Sequence, residues 1–290
     1  MPKNSEIYHH YCLDLGGSTI DMVKFSDTTI SDLQSIESQK FFSHAKNDIS
    51  LEDIIQKFGK TKDIKSQKNL TITGGRSQKF PEKFVIENSE ISLTKVSEFE
   101  AIAAGGMFLS GENSGLVVSL GTGTAMVSVT DMKKNQWKHV RGTGIGGGTF
   151  LGLGRAILKI QKFSELQKLS ETGNLQNIDI SVEDILGGSL GNLTPEMTAS
   201  NFGKFSPENS QPEDIALALA NLVGQSIASL AIEKAKVHGH TKIILGGKIS
   251  RFSVVTECIK KTAKFFDIEI IIPENSGYMT AVGGAIIEKN

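Results

Sequence analysis

Short apolar runs with strand character alternate with helical patterns along the first part of the chain. A strand is indicated by an apolar run that glycine or polar residues bound, and a helix by apolar positions that recur roughly every three to four residues. This pattern predicts strands over residues 8–13, 20–25, 39–42, 69–73 and 91–93, with helices over 51–58 and 98–108. Segment 111–115, rich in glycine and polar residues, predicts a loop and a domain junction.

The second part of the chain repeats this order. Strands are predicted over residues 115–120, 125–130, 243–245 and 268–272, and helices over 212–238 and 278–289. In each part a strand meets a glycine turn and a second strand, and a later strand ends in a glycine pair. This echo indicates an α/β architecture built by domain-scale duplication. We expect an N-terminal domain over residues 1–112 and a C-terminal domain over 113–290, with the final helix packing back on the first domain.

Composition narrows the class of protein. The 290 residues carry a net charge of −1, which indicates neither a nucleic-acid partner nor an anionic membrane. The two cysteines cannot form a disulfide framework and fit a reducing compartment. Residues 1–6 lack an apolar signal core, and polar residues interrupt the long apolar stretch 215–232. These features favour a cytoplasmic protein in which that stretch is a buried or dimer-facing helix.

The first turn, residues 14–19, has the chemistry of a phosphate grip. Glycines let backbone N–H groups approach phosphate oxygens, hydroxyl groups add donors, and an aspartate at a strand end can hold Mg²⁺ through water. A plain hairpin in which the aspartate satisfies the turn is the alternative. The Gly-Lys-[Ser/Thr] ending of a Walker A loop is absent from this segment. The candidate residues are Asp14, Gly16, Gly17, Ser18 and Thr19.

The second turn, residues 119–124, repeats these residue types about a hundred positions later. Residues 142–150, the glycine run, lead into a predicted helix whose N-terminus would be a phosphate site. His139 and Arg141 precede this run and could supply positive charge, although each alone is more typical of a solvated strand residue. Gly246 and Gly247 would let an adenine or ribose lie against backbone, and a simple strand-to-helix turn explains them equally well.

Segment 97–100 offers two carboxylates. Ser97 and Glu100 have the spacing of a capping box, which gives Glu100 a structural role. Glu98 falls at the first helical position, where the helix dipole favours the ionised form that a general base requires. A surface glutamate selected only by the dipole is the plainer interpretation of Glu98.

In order and spacing these motifs resemble the type II (Fumble-family, eukaryotic-like) pantothenate kinases of the actin–sugar kinase–Hsp70 superfamily. The resemblance covers nearly the whole chain. The matching segments are 14–19, 73–75, 98–101, 121–124, 146–154, 193–194, 199–203, 274–277 and 283–285. It implies two related actin-like (ribonuclease H-like) domains, whose mixed sheets are flanked by helices, with an ATP cleft between them. It also implies a homodimer, with coenzyme A or an acyl-CoA as a candidate regulator.

The resemblance assigns roles residue by residue. Glu98 is implied as the catalytic base, and residues 14–19 with Thr122 as contacts of ATP phosphates and Mg²⁺, with Asp14 nearest the metal. Thr122 and Thr124 are implied to lie between nucleotide and pantothenate. The residues implied to line the nucleotide site are Gly147, Gly148, Gly246 and Gly247.

Two positions depart from the family pattern. Asp21 stands where the family usually has a lysine near the phosphates, and Lys24 would face the opposite side of the strand. His139 stands where the family has its substrate-binding arginine, and Arg141 is expected on the same strand face, where it could take over.

The sequence therefore predicts ATP- and Mg²⁺-dependent phosphorylation of pantothenate to 4'-phosphopantothenate, the first step of coenzyme A biosynthesis. The two departures keep a second hypothesis open, a kinase of the same fold that acts on another small hydroxyl acceptor such as pantetheine. A third hypothesis, from another class, is a catalytically silent nucleotide or acyl-CoA sensor.

Overall fold

The computed structural model describes residues 9–26, 29–37, 50–189 and 194–287. Its first sheet is mixed and six-stranded, in the order β3-β2-β1-β4-β6-β5. β4 runs parallel to β1 and β6, and the other neighbours are antiparallel. The strands are β1 His9–Leu15, β2 Thr19–Ser26, β3 Thr29–Glu37, β4 Asn69–Thr73, β5 Lys83–Ile86 and β6 Ser89–Lys95. The helices of this part are α1 Leu51–Lys57, α2 Thr61–Gln67 and α3 Glu98–Ser110.

The second sheet is also mixed, in the order β13-β12-β7-β8-β9, and a two-stranded ribbon pairs β10 with β11. The strands are β7 Gly115–Leu120, β8 Thr124–Asp131, β9 Gln136–Thr143, β10 Ile180–Ser181, β11 Thr198–Ser200, β12 Lys242–Gly246 and β13 Glu269–Ile271. The helices are α4 Gly147–Leu158, α5 Phe163–Ser170, α6 Val182–Leu186, α7 Pro212–Val237, α8 Ser253–Lys264 and α9 Met279–Ile287.

The alternation of β1 and β2 determines what each face of the first sheet meets. Leu13 and Met22 point into a core that includes residues of α1 and α2. Their neighbours Cys12 and Val23 point to the other face, where they pack with residues of α9. Because side chains alternate along a strand, Asp14 and Asp21 share the α9 face. The sheet thus places two carboxylates on the side where α9 covers it.

Helix α7 is the central helix of the second core. It is long and apolar enough to cross a membrane by length and composition, but 67% of its most apolar window is buried inside the protein. Its alanine, leucine and isoleucine side chains pack with residues of β7, β12 and α8. The sequence interpretation of this stretch as a buried helix is therefore confirmed.

Two glycines allow α3 and α9 to cross closely. A Cβ at Gly105 would meet the Met279 carbonyl, and one at Gly283 would meet the Ala101 carbonyl. α9 also lies against β1, β2 and β4 of the first sheet. This crossing fixes α3, whose first residue is Glu98, relative to the first sheet.

The predicted fold class, an α/β chain with mixed sheets flanked by helices, is confirmed. The structure adds elements that the hydrophobic pattern did not predict, of which α2, β5, β9 and α8 are the main ones. A third strand of the first sheet lies at β3, earlier than the predicted strand over 39–42, which falls outside the described residues. Residues 1–8, 193 and 288–290, on which other sequence predictions fall, also lie outside them.

Candidate active site

A row of four polar residues crosses the α9 face of the first sheet. Strand register pairs Asp14 with Thr73 on one side and with Asp21 on the other, and Asp21 in turn with Ser35. Directly paired residues point to the same face, so Thr73, Asp14, Asp21 and Ser35 form one line, here called the polar row. Two aspartates opposite each other repel, which a cation must offset for both to be ionised.

The pKa values of the two aspartates in the polar row reflect their burial and this repulsion. Burial raises the pKa of Asp14 well above its usual range, the charges of Asp21 and Glu98 raise it further, and the Lys248 ammonium opposes them. Burial also raises the pKa of Asp21, against the lowering effect of Lys248 and of hydrogen bonds from Ser35 and Thr19. Asp14, Asp21 and Glu98 thus form one electrostatic group.

Lys248 is the cation that the structure places on this row. It belongs to the short 3₁₀ turn Lys248–Arg251 that follows β12 of the second sheet. Its Nζ lies 2.8 Å from Asp21 Oδ1, donates to Ser35 Oγ at 2.6 Å, and lies 3.7 Å from the centroid of the Tyr278 ring. An ion pair therefore joins the two sheets beside the first turn. Lys24 faces away from the row, as predicted, with its Nζ 5.9 Å from the Tyr11 ring centroid.

The two glycine turns meet directly. Ser18 Oγ and Thr122 Oγ1 lie 2.7 Å apart. Gly17 has no room for a side chain, because a Cβ there would lie 2.7 Å from Thr122 Oγ1. Behind the first turn, Arg76 Nη1 donates to the Gly16 carbonyl at 3.4 Å. The structure thus brings the first turn, residues 14–19, into contact with the second turn, residues 119–124.

Glu98 begins α3 beside the turn that ends β4. A Cβ at Gly75 would lie 3.5 Å from Glu98 Oε2, and one at Gly74, where φ is +88°, would collide with the Asp14 carboxylate. The pair Gly74–Gly75 therefore places both carboxylates on one turn. Burial raises the pKa of Glu98, and the charge of His139 opposes that effect.

The predicted capping box at this helix is wrong. Ser97 occupies the N-cap position, but within the described residues its side chain makes no capping hydrogen bond. The Ser97 φ of −58° and ψ of 132° are compatible with an N-cap, so the backbone conformation does not prevent the capping hydrogen bond. The spacing of Ser97 and Glu100 was therefore not sufficient to predict that bond. Glu100 therefore has no capping role in this structure, and its carboxylate lies in the same helical turn as that of Glu98.

His139 faces α3, where its ring stacks on Phe99 with centroids 4.0 Å apart. The prediction that Arg141 shares this face is wrong. β9 pairs His139 with Val127 and Arg141 with Met126, so that Val140 is the extra residue of a β-bulge. Val127 belongs to the core against α3 and Met126 to the core around α7. A bulge changes the alternation of side chains, and Arg141 consequently lies on the face away from Glu98.

The glycine run packs on the second turn. Gly147 N–H donates to the Gly121 carbonyl and Gly148 N–H to the Thr122 carbonyl, both at 2.9 Å. The Thr124 hydroxyl is buried and donates to the Ile145 carbonyl at 2.8 Å. These two amides at the start of α4 are therefore already bonded within the protein. The run thus holds the shape of the second turn.

The pair Gly246–Gly247 lies at the end of β12, next to the second turn. Gly247 N–H donates to the Ser276 carbonyl at 2.8 Å. Its φ is +84°, and a Cβ there would collide with the backbone of Leu120, which ends β7. Close backbone packing between β12 and β7 thus accounts for Gly247, and it delivers the next residue, Lys248, to the first turn.

Sequence reasoning missed three polar residues of this site, Ser35, Arg76 and Lys248. Arg76 follows the Gly74–Gly75 pair and Lys248 follows Gly246–Gly247, so the shared position, a cation directly after a glycine pair, was a signal in the sequence. Ser35 carried no such signal, because only strand register brings it beside Asp21.

The acidic residues of the site suit a Mg²⁺ ion that keeps several waters better than a metal ion whose ligands all come from the protein. Among the described residues, no group of three or more His, Cys, Asp or Glu side chains is arranged to hold a metal ion. Mg²⁺ usually keeps several waters and takes one or two carboxylates with substrate phosphates. The carboxylate of Asp14, near the end of β1 and at the start of the first turn, fits that requirement.

Comparison with known proteins gives a family and a fold. A sequence model of the Fumble family matches residues 114–287. A type II pantothenate kinase of Bacillus cereus is 28% identical over 282 residues, which cover 94% of this chain and 96% of that protein. An activator of 2-hydroxyisocaproyl-CoA dehydratase from Clostridium difficile, solved with bound ADPNP, has a TM-score of 0.65 at 18% identity and covers 97% of this chain and 94% of its own. A ROK family glucokinase from Streptomyces griseus, solved with glucose and AMPPNP, has a TM-score of 0.57 at 12% identity and covers 98% and 100%.

Proposed function

The chain belongs to the Fumble family, and on that premise we propose that it is an ATP-dependent pantothenate kinase, which forms 4'-phosphopantothenate for coenzyme A synthesis. The observation that carries this proposal is the turn Gly74–Gly75, which places the carboxylates of Asp14 and Glu98 beside the two glycine turns. Phosphoryl transfer needs a base that deprotonates the acceptor and a set of groups that binds the phosphates.

Glu98 is proposed as the general base. Its carboxylate takes the proton from the primary hydroxyl of pantothenate while that oxygen attacks the terminal phosphorus of ATP in line, and the bond from this phosphorus to the departing ADP breaks. Burial raises its pKa above the usual glutamate value, which makes the carboxylate a stronger base. The charge of His139 limits this rise. The stacked ring of His139 also lines the acceptor side of the site in this proposal.

The two turns are proposed to hold the phosphates. For a phosphate to enter, the hydroxyls of Ser18 and Thr122 must exchange their mutual bond for bonds to phosphate oxygens. The amides of the first turn, residues 14–19, add further donors. Mg²⁺ held by Asp14 through water would neutralise charge on the transferred group. Gly147, Gly148, Gly246 and Gly247 support the nucleotide site through the backbone packing described above.

The remaining proposals concern context. We propose that residues 1–112 and 113–290 form two domains around this cleft, as the two separate sheets support. We also propose that the protein is a cytoplasmic homodimer, as its composition and its family resemblance suggest. Regulation by coenzyme A or an acyl-CoA is a further proposal, and competition of acetyl-CoA with ATP in the assay below tests it.

A panel of acceptors tests the proposed substrate. The purified protein is incubated with γ-labelled ATP, Mg²⁺ and either pantothenate or pantetheine, and labelled products are separated. Transfer to pantothenate with the higher kcat/KM supports the proposal. The stacked ring of His139, in place of a forked guanidinium, favours the second candidate, a kinase for another hydroxyl acceptor. Efficient transfer to pantetheine alone would establish that candidate, and ligand binding without any transfer would establish a sensor.

A further inference from the structure

The polar row creates a problem for a nucleotide-binding site. Asp14 and Asp21 face each other across β1 and β2, and Glu98 adds a third negative charge to the group. A triphosphate that enters beside the first turn meets these like charges. A cation of this chain between the row and the phosphates would offset this repulsion, in addition to any bound metal.

Lys248 has the position and the support for that task. Three groups fix its ammonium, namely the carboxylate of Asp21, the hydroxyl of Ser35 and the ring face of Tyr278. Its side chain is 26% exposed, so one side remains open to a ligand, whereas that of Asp21 is 7% exposed. The ammonium has three donors, of which the contacts with Asp21 and Ser35 use two. One donor can therefore reach a phosphate without release of the ion pair.

The backbone that carries Lys248 is fixed to the second turn. Gly247 packs against Leu120, the last residue of β7, and the second turn follows directly. Lys248 therefore comes from the same sheet as Thr122, yet its side chain lies on the first sheet beside the first turn. Its ammonium therefore links the second sheet to the first sheet.

We propose that Lys248 is a phosphate-binding residue of this cleft and that Asp21 and Ser35 position its ammonium for the terminal phosphates of a nucleoside triphosphate. The proposal rests on the proposed kinase function. Asp21, which occupies the place of a lysine in the resembling family, is then a positioning residue whose negative charge draws a lysine from the opposite sheet into the site.

Nucleotide binding to the full chain tests this proposal. Isothermal titration with MgAMPPNP and with AMP is carried out on the wild type, on Lys248→Met and on Lys248→Arg. A charge-assisted hydrogen bond contributes enough that Lys248→Met should bind MgAMPPNP about 10- to 100-fold more weakly. AMP, which lacks the terminal phosphates, should lose less than about threefold on the same scale. Lys248→Arg keeps the charge and should stay within about threefold of the wild type for MgAMPPNP.

Lys260→Met is the matched control. Lys260 forms an ion pair with Glu257 within α8, at 2.8 Å, and is more exposed than Lys248. Its replacement removes the same charge from the same part of the chain and should leave both affinities unchanged. Equal losses for MgAMPPNP and AMP in Lys248→Met, or no loss for either, would overturn the phosphate role of Lys248.

A variant that moves the positive charge from position 248 to position 21 distinguishes two roles of Lys248, namely phosphate binding and an ion pair that only links the two sheets. The double variant Asp21→Lys/Lys248→Met carries its ammonium on β2 and cannot form the ion pair. Recovery of MgAMPPNP affinity relative to Lys248→Met supports the proposal. Recovery only in the reversed pair Asp21→Lys/Lys248→Asp would show that the link alone matters and would overturn it. Thermal unfolding checks each variant, and where a double variant does not fold the comparison of MgAMPPNP with AMP in Lys248→Met decides.

The outcome is independent of the acceptor. A wild type that binds MgAMPPNP but does not phosphorylate pantothenate contradicts the proposed function and leaves the test of Lys248 intact. A wild type that phosphorylates pantothenate while Lys248→Met binds MgAMPPNP normally contradicts only the role of Lys248. A wild type that binds no nucleotide overturns both.

Discussion

The hydroxyl oxygens of Ser18 and Thr122 lie 2.7 Å apart and join two glycine turns that are 104 residues distant in sequence. One hydroxyl donates to the other at an exposed position, where both remain accessible to a ligand. The contact is possible only because Gly17 leaves room for Thr122. The geometry of the first turn is therefore set by its partner across the cleft as much as by its own residues.

Gly17→Ala should impair turnover while leaving the protein folded. The new methyl group would lie 2.7 Å from Thr122 Oγ1, too close for a normal contact, so the Thr122 side chain or the turn must shift. A displacement of about 1 Å at reacting groups can cost about 10²-fold, so we expect kcat/KM for ATP to fall by about that factor. Steady-state kinetics measure it. Gly152→Ala is the control, because a Cβ at Gly152 meets nothing within 4 Å. Similar kinetics for both variants would contradict the close fit at Gly17.

The acid limb of the pH profile should report Glu98. The base must be ionised, so kcat/KM should rise with pH through the pKa of Glu98, which burial holds above the usual glutamate value. The positive charge of His139 lowers that pKa. His139→Ala should therefore move the acid limb to higher pH, and a shift to lower pH would contradict the assigned contact. Lys138→Ala removes a neighbouring exposed cation from β9 and should leave the limb in place.

Asp14→Asn should lower activity and raise stability at neutral pH. A carboxyl whose pKa is raised on folding binds its proton more tightly in the folded chain, so its burial costs stability once the pH exceeds the ordinary value of 3.8. The asparagine variant avoids this cost. Urea unfolding at pH 7 should show the variant above the wild type, and the difference should shrink near pH 4.

Asp184 provides a control of the opposite sign. A hydrogen bond from Lys204 is the main cause that lowers the pKa of Asp184 to about 2, so its carboxylate stabilises the fold above the ordinary pKa and loses that effect as the pH falls towards 2. Asp184→Asn should therefore be slightly less stable than the wild type at pH 7. A neutral-pH loss of stability in Asp14→Asn would contradict the charge repulsion assigned to the polar row.

Gly283→Val should destabilise the protein, because α9 has no space for a side chain where it crosses α3. The added carbons would meet the Ala101 carbonyl and force the helices apart. Overpacking of this kind costs about 1–3 kcal/mol. Chemical denaturation measures the change. Gly188→Ala, where a Cβ meets nothing within 4 Å, should be close to neutral. An unchanged unfolding free energy in Gly283→Val would show that the crossing tolerates a wider spacing.

Local chemistry made part of the site predictable from sequence. Gly17, Gly74 and Gly147 stand out because a Cβ at each would collide with another segment of the chain, and Glu98 stands out because it opens a helix. The alternation of apolar residues likewise revealed most strands of both sheets. These signals are carried by residues that are neighbours in the chain, so a pattern can detect them.

Contacts between distant strands were not predictable in the same way. The pairing of Lys248 with Asp21 depends on the register of β1, β2 and β3 and on the path of the chain after β12. The position of Arg141 depends on one extra residue, Val140, which moves the side chain to the other face. Neither effect changes the apolar pattern, so the pattern carried no signal for either contact.

The most direct measurement is a single-turnover assay of Glu98→Gln with γ-labelled ATP, Mg²⁺ and pantothenate, with nucleotide affinity determined on the same preparation. Loss of a general base costs about 10²–10⁴-fold, so the rate of phosphopantothenate formation should fall by that factor while MgAMPPNP affinity stays within about threefold. Glu100→Gln, in the same helical turn, should retain the wild-type rate. A Glu98→Gln variant that transfers phosphate at the wild-type rate would contradict the account.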